Sequence, residues 1–491
     1  MRFQIFNDGK CADNFTVCGA YLFGTDGVGI RRAQVSFSDG YIECKKPNLE
    51  TAGLALLWPI DGFGKVLLPT TCLPERAEPY ILNVEIARAK FMQIVNKRED
   101  WSYFEGTEHQ SNISKEAQQL FIRAIQNIGN PPLASKLADE ALKKAITFSE
   151  KLAAEQAASL FVARSGSHGF GRGCLGCKVD APLIGEAGYV ERLVELFGSA
   201  TVPINWAQVE PEKGQFDFSE VDTCVEVLGK RKLAIAAGPL LFFAKRYIPN
   251  WLRGMDADFE ITREAAYQFI SKVVSRYAGV VRAWYPVSGL NMYNHFGFRF
   301  EEILEMTRAA NMAVKQASDR ALKIVEVANP WGEYYATTPN SVPPLVYMDM
   351  VVQSGINFDA FGLQMRFGRN QSGMHVRDMM HVSAMLDCFA PIGKPFYITN
   401  VAVPSEDAGG SQDGQSAGVW HDRWDESLQG QWIEGFYKIA LSKPFVDMVT
   451  CSHLADVDDS TIPNCGLLNE QLEPKQSYGR LKKLHDAIFV R

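Results

Sequence analysis

The sequence predicts a (β/α)₈ barrel of the TIM type, preceded by a small antiparallel β-sandwich and a helical spacer. After residue 173, apolar β-type runs alternate with helical stretches, and eight such units can be counted. The length of 491 residues is also too great for one ordinary domain. We therefore predict a sandwich at 1–83, a helical spacer at 84–163 and the barrel at 170–491.

Residues 1–83 contain short apolar or alternating runs that are separated by turn formers. The run at 3–6 precedes Asn7-Asp8-Gly9, and the run at 33–37 precedes Ser38-Asp39-Gly40. Strands at this spacing are typical of a small sandwich. From residue 84 the apolar period becomes helical, with predicted helices at 85–96 and 114–128 and a third that starts at Asn130-Pro131. No internal repeat indicates a superhelical array.

The barrel prediction depends on eight strands, with helices between them. Because a barrel of this class carries its site at the carboxyl ends of its strands, the last residues of each strand are the candidates for function. The predicted strands are 175–179, 200–205, 233–237, 281–287, 323–328, 360–364, 395–399 and 447–452, and the clearest predicted helices are 189–197, 264–277, 300–317, 345–353 and 428–441.

Composition excludes several classes of function. The net charge is -7, and no block is rich in lysine and arginine, so no nucleic-acid partner is expected. No run reaches the ~18 apolar residues of a membrane span, and the N-terminus resembles no secretory signal. A cytoplasmic protein with reduced cysteines is therefore expected. Cys174 and Cys177 form a lone CxxC, and the glycines at 169–173 lack the lysine of a phosphate loop, so neither metal nor cofactor is predicted.

Five stretches together resemble glycoside hydrolase family 10, the xylanase-type barrels. Residues 203–252 resemble its second and third strand region, and the similarity extends over about 170–485 in the correct order. Residues 1–163 lie outside the resemblance. Because family members often carry N-terminal sandwich modules that bind carbohydrate, the resemblance favours a carbohydrate-binding-module-like sandwich at 1–83. The stretches are INWAQVEPEKGQFDFSEVDTCVEVLGKRKLAIAAGPLLFFAKRYIPNWL, YAGVVRAWYPV, FDAFGLQMR, KPFYITN and GLLNEQLEPKQSY.

The resemblance also shows what this chain lacks. The family's fourth strand ends in the glutamate that serves as general acid/base, and the corresponding residue here is Gly289. Its seventh strand ends in the nucleophilic glutamate, and the corresponding residue here is Asn400. Four supporting positions also depart from the family pattern, and they are Asn205, Pro239, Arg366 and Ser452.

Those two substitutions remove the family's chemistry. Retaining cleavage needs two carboxyl groups ~5–5.5 Å apart and inverting cleavage needs them ~6.5–9.5 Å apart. Gly289 offers no proton, and the amide of Asn400 cannot ionise. Relocated carboxylates are the alternative, with Glu210, Glu333 and Asp456 as candidates at predicted strand ends. Glu210-Pro211 could equally be a structural turn, and Asp456 part of a polar loop.

A binding site makes fewer demands, because aromatic faces stack on sugars while amides and guanidinium groups bond to hydroxyl groups. The predicted substrate-binding residues are Trp206, Trp284, Trp331, Gln364, Arg366, Asn400 and Trp420. Core packing is the competing interpretation for Trp284. The small-residue-rich loop after the seventh strand is interpreted as a mobile flap with Trp420 near its aromatic tip.

Three hypotheses follow for function. The first is a family-10-like barrel that binds oligo- or polysaccharide without the family's double displacement. The second is an active glycoside hydrolase that uses relocated carboxylates. The third is a structural protein with an inert barrel, for which a homo-oligomer is expected.

Overall fold

A computed structural model of the chain describes residues 1–101, 108–167, 169–254, 258–407, 417–458 and 460–489. The N-terminal region contains nine strands: β1 (Arg2–Gln4), β2 (Phe6–Asn7), β3 (Lys10–Cys11), β4 (Tyr21–Phe23), β5 (Gln34–Ser38), β6 (Tyr41–Lys45), β7 (Gly53–Ile60), β8 (Gly64–Pro69) and β9 (Tyr80–Ile81). Seven of them form two four-stranded sheets together with β18 (Val419–Trp420), which comes from the barrel region. The sheet orders are β5-β6-β1-β9 and β18-β8-β7-β4. The pairing is antiparallel, as predicted, except that β1 and β9 run parallel.

Three helices follow these sheets, in agreement with the predicted helical spacer. They are α1 (Leu82–Asp100), α2 (Glu108–Gln126) and α3 (Pro131–Ser167). Helix α3 buries a stripe that includes Leu137, Ala141 and Phe148, and these side chains repeat every three or four residues along its axis. It packs against α1 and α2 and also against the barrel.

Eight parallel strands close into the barrel, and each predicted barrel strand is confirmed to within a few residues. The barrel closes because β10 pairs with β19 and β12 pairs with β14. A two-residue strand, β13, pairs in parallel with the end of β14. The strands are β10 (Leu175–Lys178), β11 (Ser199–Val202), β12 (Ala234–Ala237), β13 (Leu241–Phe242), β14 (Val281–Ser288), β15 (Leu322–Val327), β16 (Ala360–Arg366), β17 (Phe396–Ala402) and β19 (Val446–Cys451), and β18 (Val419–Trp420) leaves the barrel to join β8.

Helices surround the barrel, and the main core lies between them and the outer faces of the strands. Inside the barrel, Ile324 belongs to a separate layer that also contains Ala236, Ala283 and Ala360. The helices are α4 (Ala187–Leu196), α5 (Trp206–Val209), α6 (Ser219–Lys230), α7 (Asn250–Arg253), α8 (Phe259–Tyr277), α9 (Phe300–Ala317), α10 (Pro344–Gln353), α11 (Met379–Phe389), α12 (Glu426–Ser442) and α13 (Gln476–Phe489). In the part of the chain that the structure describes, no helix is both long and apolar enough to cross a membrane.

The N-terminal region and the barrel are joined through buried polar contacts. Lys90 of α1 and Asp378 at the start of α11 form an ion pair at 2.7 Å, with both side chains almost fully buried. Glu150 of α3 accepts hydrogen bonds from the Met379 backbone and from the Trp420 indole, both at 2.8 Å. One continuous hydrophobic cluster runs from β1 to the barrel helices. The three predicted segments therefore share a core.

Candidate functional site at the mouth of the barrel

Polar side chains from several barrel strands meet at their carboxyl ends around a cavity of about 60 Å³. Two aromatic side chains, Phe242 and Tyr247, lie at its edge with ring centroids 4.7 Å apart. The other lining residues are Lys178, Thr201, Gly238, Pro239, Tyr285, Ser288, Glu326, Gln364, Arg366, Thr399 and Asn400. Of these residues, Glu326 alone carries a carboxyl group.

Glu326 is the centre of a hydrogen-bond network at this mouth. Its side chain is 6% exposed, and Gln364 Nε2 donates to Oε2 at 2.7 Å. Ser288 Oγ also donates to Oε2, and Thr399 Oγ1 donates to Oε1. Arg366 Nη2 donates to Gln364 Oε1 at 3.0 Å, which fixes the orientation of that amide. Both carboxylate oxygens therefore have partners, as a buried carboxylate requires.

Local sequence explains why Glu326 points into the barrel. Successive side chains of a strand alternate between its two faces, so Glu326 shares a face with Ile324, which lies in the interior layer. Glu326 is not among the predicted site residues, because the predicted acids follow the strands whereas Glu326 lies inside one. A charged residue inside the apolar run Lys-Ile-Val-Glu-Val-Ala was the signal that could have found it.

Lys178, at the end of β10, brings a positive charge to the same cavity. Burial lowers the pKa of its amine, and the negative charge of Glu326 partly opposes that shift. Burial raises the pKa of the neighbouring Tyr285, so this phenol stays protonated at neutral pH. Among the described residues, no group of three or more His, Cys, Asp or Glu side chains could hold a metal ion.

Comparison with known proteins places this architecture in a family. The sequence profile described as "Glycosyl hydrolase family 10" matches residues 172–480, which is more than half of the chain. The chain belongs to glycosyl hydrolase family 10. An endo-1,4-beta-xylanase from Agaricus bisporus is 24% identical over 206 residues, which are 40% of this chain. The matched part spans 59% of the length of that relative.

Solved structures of family 10 proteins share the fold. Xylanase 10B from Thermotoga petrophila RKU-1, crystallised with xylobiose, matches 68% of this chain and 96% of its own, with a TM-score of 0.50 and 17% identity. A family 10 protein from Paenibacillus barcinonensis matches 65% of this chain and 96% of its own, with a TM-score of 0.50 and 16% identity. At these identities the likeness is one of fold alone.

Gly289 and Asn400, at which the resemblance leads us to expect the family's glutamates, carry no carboxylate. Gly289 follows β14 with φ of +61°, and a Cβ atom added there would lie 2.8 Å from Tyr293 Cδ2 and 3.1 Å from Ala328 Cβ. A side chain of any kind is therefore excluded without rearrangement. Asn400 does line the cavity, and its Oδ1 accepts a hydrogen bond from Ser452 Oγ.

The three carboxylates predicted as replacements do not line this cavity. Glu210 accepts from Trp206 Nε1 and from the Gly214 backbone, both at 2.8 Å, as a structural turn would. Asp456 pairs with Lys475 at 2.5 Å and accepts from the Gly466 backbone at 2.8 Å.

Glu333 lies in a different place from the barrel mouth, at the contact between the N-terminal sheets and the barrel. It forms a buried ion pair with Arg377 and accepts from the Gly373 backbone at 2.7 Å. His375 lies 3.5 Å from the same carboxylate, and burial lowers the pKa of this histidine to about 4. These contacts are of the kind that stabilise a fold.

The structure divides the predicted sugar-binding residues into two groups. Gln364, Arg366 and Asn400 line the cavity together. The four tryptophans instead pack: Trp284 is completely buried, and Trp206 stacks on Phe269 with centroids 4.9 Å apart. The Arg377 guanidinium lies 3.9 Å from the centroid of Trp331. A role of these rings in binding sugar stays a prediction.

The position of Trp420 contradicts part of the prediction of a mobile flap. It lies in β18, is 7% exposed and donates to Glu150, so its ring is part of the contact with the N-terminal region and not a mobile tip. Strand β18 pairs with β8 over Lys65–Val419 and Gly64–Trp420. Residues 408–416 of the predicted flap lie outside the described residues.

Proposed function

We propose that this family 10 chain binds carbohydrate at the barrel mouth and does not cleave it by the family's double displacement. The observation that carries the proposal is the single carboxylate among the described residues lining the mouth, Glu326. Glycoside cleavage by either stereochemical route needs a pair of carboxyl groups. Here the two expected positions are occupied by a glycine with no room for a side chain and by an asparagine.

The polar groups that remain suit hydroxyl recognition. The guanidinium of Arg366, the amide of Asn400 and the amine of Lys178 come from three different strands and converge on one cavity. The rings of Phe242 and Tyr247 at the edge offer apolar surface to a sugar ring. Because the cavity is small, we propose that it receives one end or one hydroxyl-bearing edge of a glycan whose other units lie outside.

Binding and cleavage are separated by two measurements on the full chain. Xylo-oligosaccharides are the first probe, since a relative with this fold was crystallised with xylobiose, and a polysaccharide panel follows. Calorimetry reports binding, and a reducing-sugar assay reports new chain ends. We expect saturable binding of at least one glycan and no new reducing ends.

Two arginine variants locate the binding site. Arg366→Met removes a charged donor from the mouth and should weaken binding roughly tenfold to a hundredfold, since hydrogen bonds to charged groups contribute about 1.5–3 kcal/mol. Arg282→Met removes the same side chain from the other end of the barrel, at the start of β14, and should leave affinity unchanged.

Each contrary outcome has a defined meaning. New reducing ends that disappear in Glu326→Gln would replace this proposal with hydrolysis by relocated carboxylates. Equal affinity of Arg366→Met and the unmodified chain would exclude the mouth as the binding site. No binding to any glycan of the panel would overturn the proposal.

A further inference from the structure

A second cavity, far larger than the barrel mouth, lies between the N-terminal sheets and α3. Its volume is about 710 Å³, within the range of sites for small organic molecules. It is formed by residues 5–15, by the end of β7 and by one face of α3 between residues 136 and 143. The proposed carbohydrate site makes no use of this cavity.

The walls of this cavity are apolar and partly aromatic. The rings of Phe15 and Trp58 are in contact, with centroids 5.7 Å apart. Ile5, Phe6 and Leu142 also line the cavity. Trp58 is held in the core, with 4% exposure, whereas Phe15 is partly exposed. These side chains offer a hydrophobic surface and two ring faces to an occupant.

One carboxylate in this cavity has no cationic partner among the described residues. Asp139 Oδ1 and Oδ2 each lie 2.9 Å from the same donor, Asn83 Nδ2. That amide is itself fully buried and is shared with the Phe6 carbonyl, to which it donates at 3.0 Å. Burial raises the pKa of Asp139 to about 7. The carboxylate therefore has one shared hydrogen bond to offset its loss of hydration.

The other charged groups of the cavity leave a negative excess. Lys136 lies 3.9 Å from Asp8, and Lys143 pairs with Asp61, so both lysines have acidic partners. Four acidic and two basic side chains line the cavity, which leaves two negative charges when all of them are ionised. The six groups are Asp8, Asp61, Lys136, Asp139, Glu140 and Lys143.

We propose that this cavity binds a small organic cation, with its ammonium group against Asp139 and its apolar body against the exposed surfaces of Phe15 and Trp58. A partly buried carboxylate with one donor gains from a cation that replaces lost hydration, and aromatic faces attract the same charge. A neutral ligand of equal shape would fill the apolar space but leave the carboxylate uncompensated.

Protonation of Asp139 competes with such a cation. At neutral pH a proton occupies the carboxylate in part of the molecules, because its pKa is about 7. The bound cation favours the ionised form, so binding expels that proton. Affinity should therefore rise as the pH increases through 7 and level off above it.

The test uses the full chain with 2-phenylethylammonium and its neutral isostere 2-phenylethanol. Calorimetry at pH 7 in two buffers with different ionisation enthalpies reports both affinity and protons released. We expect saturable binding of the cation, at least about tenfold tighter than that of the alcohol, with a measurable release of protons on binding.

Three variants assign the effect to this cavity. Asp139→Asn keeps an acceptor for Asn83, and it should weaken cation binding at least about tenfold and abolish proton release. Asp13→Asn removes an equal charge from the same region without touching the cavity lining, and it should change neither quantity. Phe15→Leu removes one ring face and should weaken binding of the cation, and this variant remains informative if Asp139→Asn fails to fold.

The proposal is overturned by any of three results. The first is equal affinity for 2-phenylethylammonium and 2-phenylethanol. The second is unchanged proton release in folded Asp139→Asn. The third is the absence of saturable binding of both 2-phenylethylammonium and cyclohexylmethylammonium at millimolar concentration.

Discussion

The barrel mouth and the cavity beside α3 each contain one carboxylate, and the two differ in burial and in the number of hydrogen-bond donors around them. Glu326 is surrounded by three side-chain donors, and the space before it is about 60 Å³. Asp139 shares one amide with a backbone carbonyl and faces about 710 Å³. A carboxylate with a full set of donors needs no partner, whereas one with a single shared donor gains from a ligand.

The two places also differ in how far the chain's own side chains fill the space. In the barrel, the strand ends are filled by hydrogen bonds among the chain's own residues, such as that between Ser452 and Asn400. In the N-terminal region, an open cavity persists although the surrounding side chains are well packed. The proposed cation site therefore lies apart from the barrel mouth, in a cavity about ten times larger.

The largest expected effect concerns Gly289, where the family's acid would stand. Gly289→Ala should reduce the free energy of unfolding by about 3 kcal/mol, because the new Cβ is crowded and the backbone stays at φ of +61°. Gly279→Ala is the matched control, since its φ is +86° but no atom lies within 4 Å of the added Cβ. That variant should lose only about 1–2 kcal/mol.

Chemical denaturation of both variants separates crowding from backbone strain. Equal losses for Gly289→Ala and Gly279→Ala would mean that the barrel mouth can adjust to a side chain. The position could then accept a larger side chain. The contrast between a crowded mouth and a spacious second cavity would be weaker.

The barrel could be predicted from the sequence, but the positions of its site residues could not. All eight strands were predicted because short apolar runs alternate with stretches of helical period along the chain. The tryptophans were assigned to sugar binding because they lie at or near predicted strand ends. Trp284 instead lies inside β14 and packs into the main core. Strand β18 was missed because its partner β8 lies more than three hundred residues away.

The second effect concerns Glu326 itself. Glu326→Ala leaves Ser288, Thr399 and Gln364 without their acceptor, and it should reduce the free energy of unfolding by about 2 kcal/mol. The control is Glu226→Ala, which removes the same side chain from an exposed ion pair with Lys230 and should change stability little. A loss no greater than that of the control would show that the network at the mouth contributes nothing to stability.

The smallest effect has the opposite sign and concerns Asp139. Because its folded pKa of about 7 lies above its ordinary value of 3.8, the folded state binds the proton more tightly. The resulting stabilisation is complete below pH ~4 and is lost as the pH rises through 7. Asp139→Asn, which cannot ionise, should therefore be more stable than the unmodified chain at pH 8, by about 1 kcal/mol after allowance for partial exposure.

Thermal unfolding from pH 4 to pH 9 checks this sign. The difference in Tm between Asp139→Asn and the unmodified chain should grow in favour of the variant from pH 4 to 7 and stay constant above that. A saturating organic cation should reverse the order at pH 8, because it stabilises only the chain that has the carboxylate. If Asp139→Asn is instead less stable at pH 8, the ionised carboxylate is already satisfied by Asn83. Asp139 would then resemble Glu326, as a carboxylate whose charge is satisfied by donors of the chain itself.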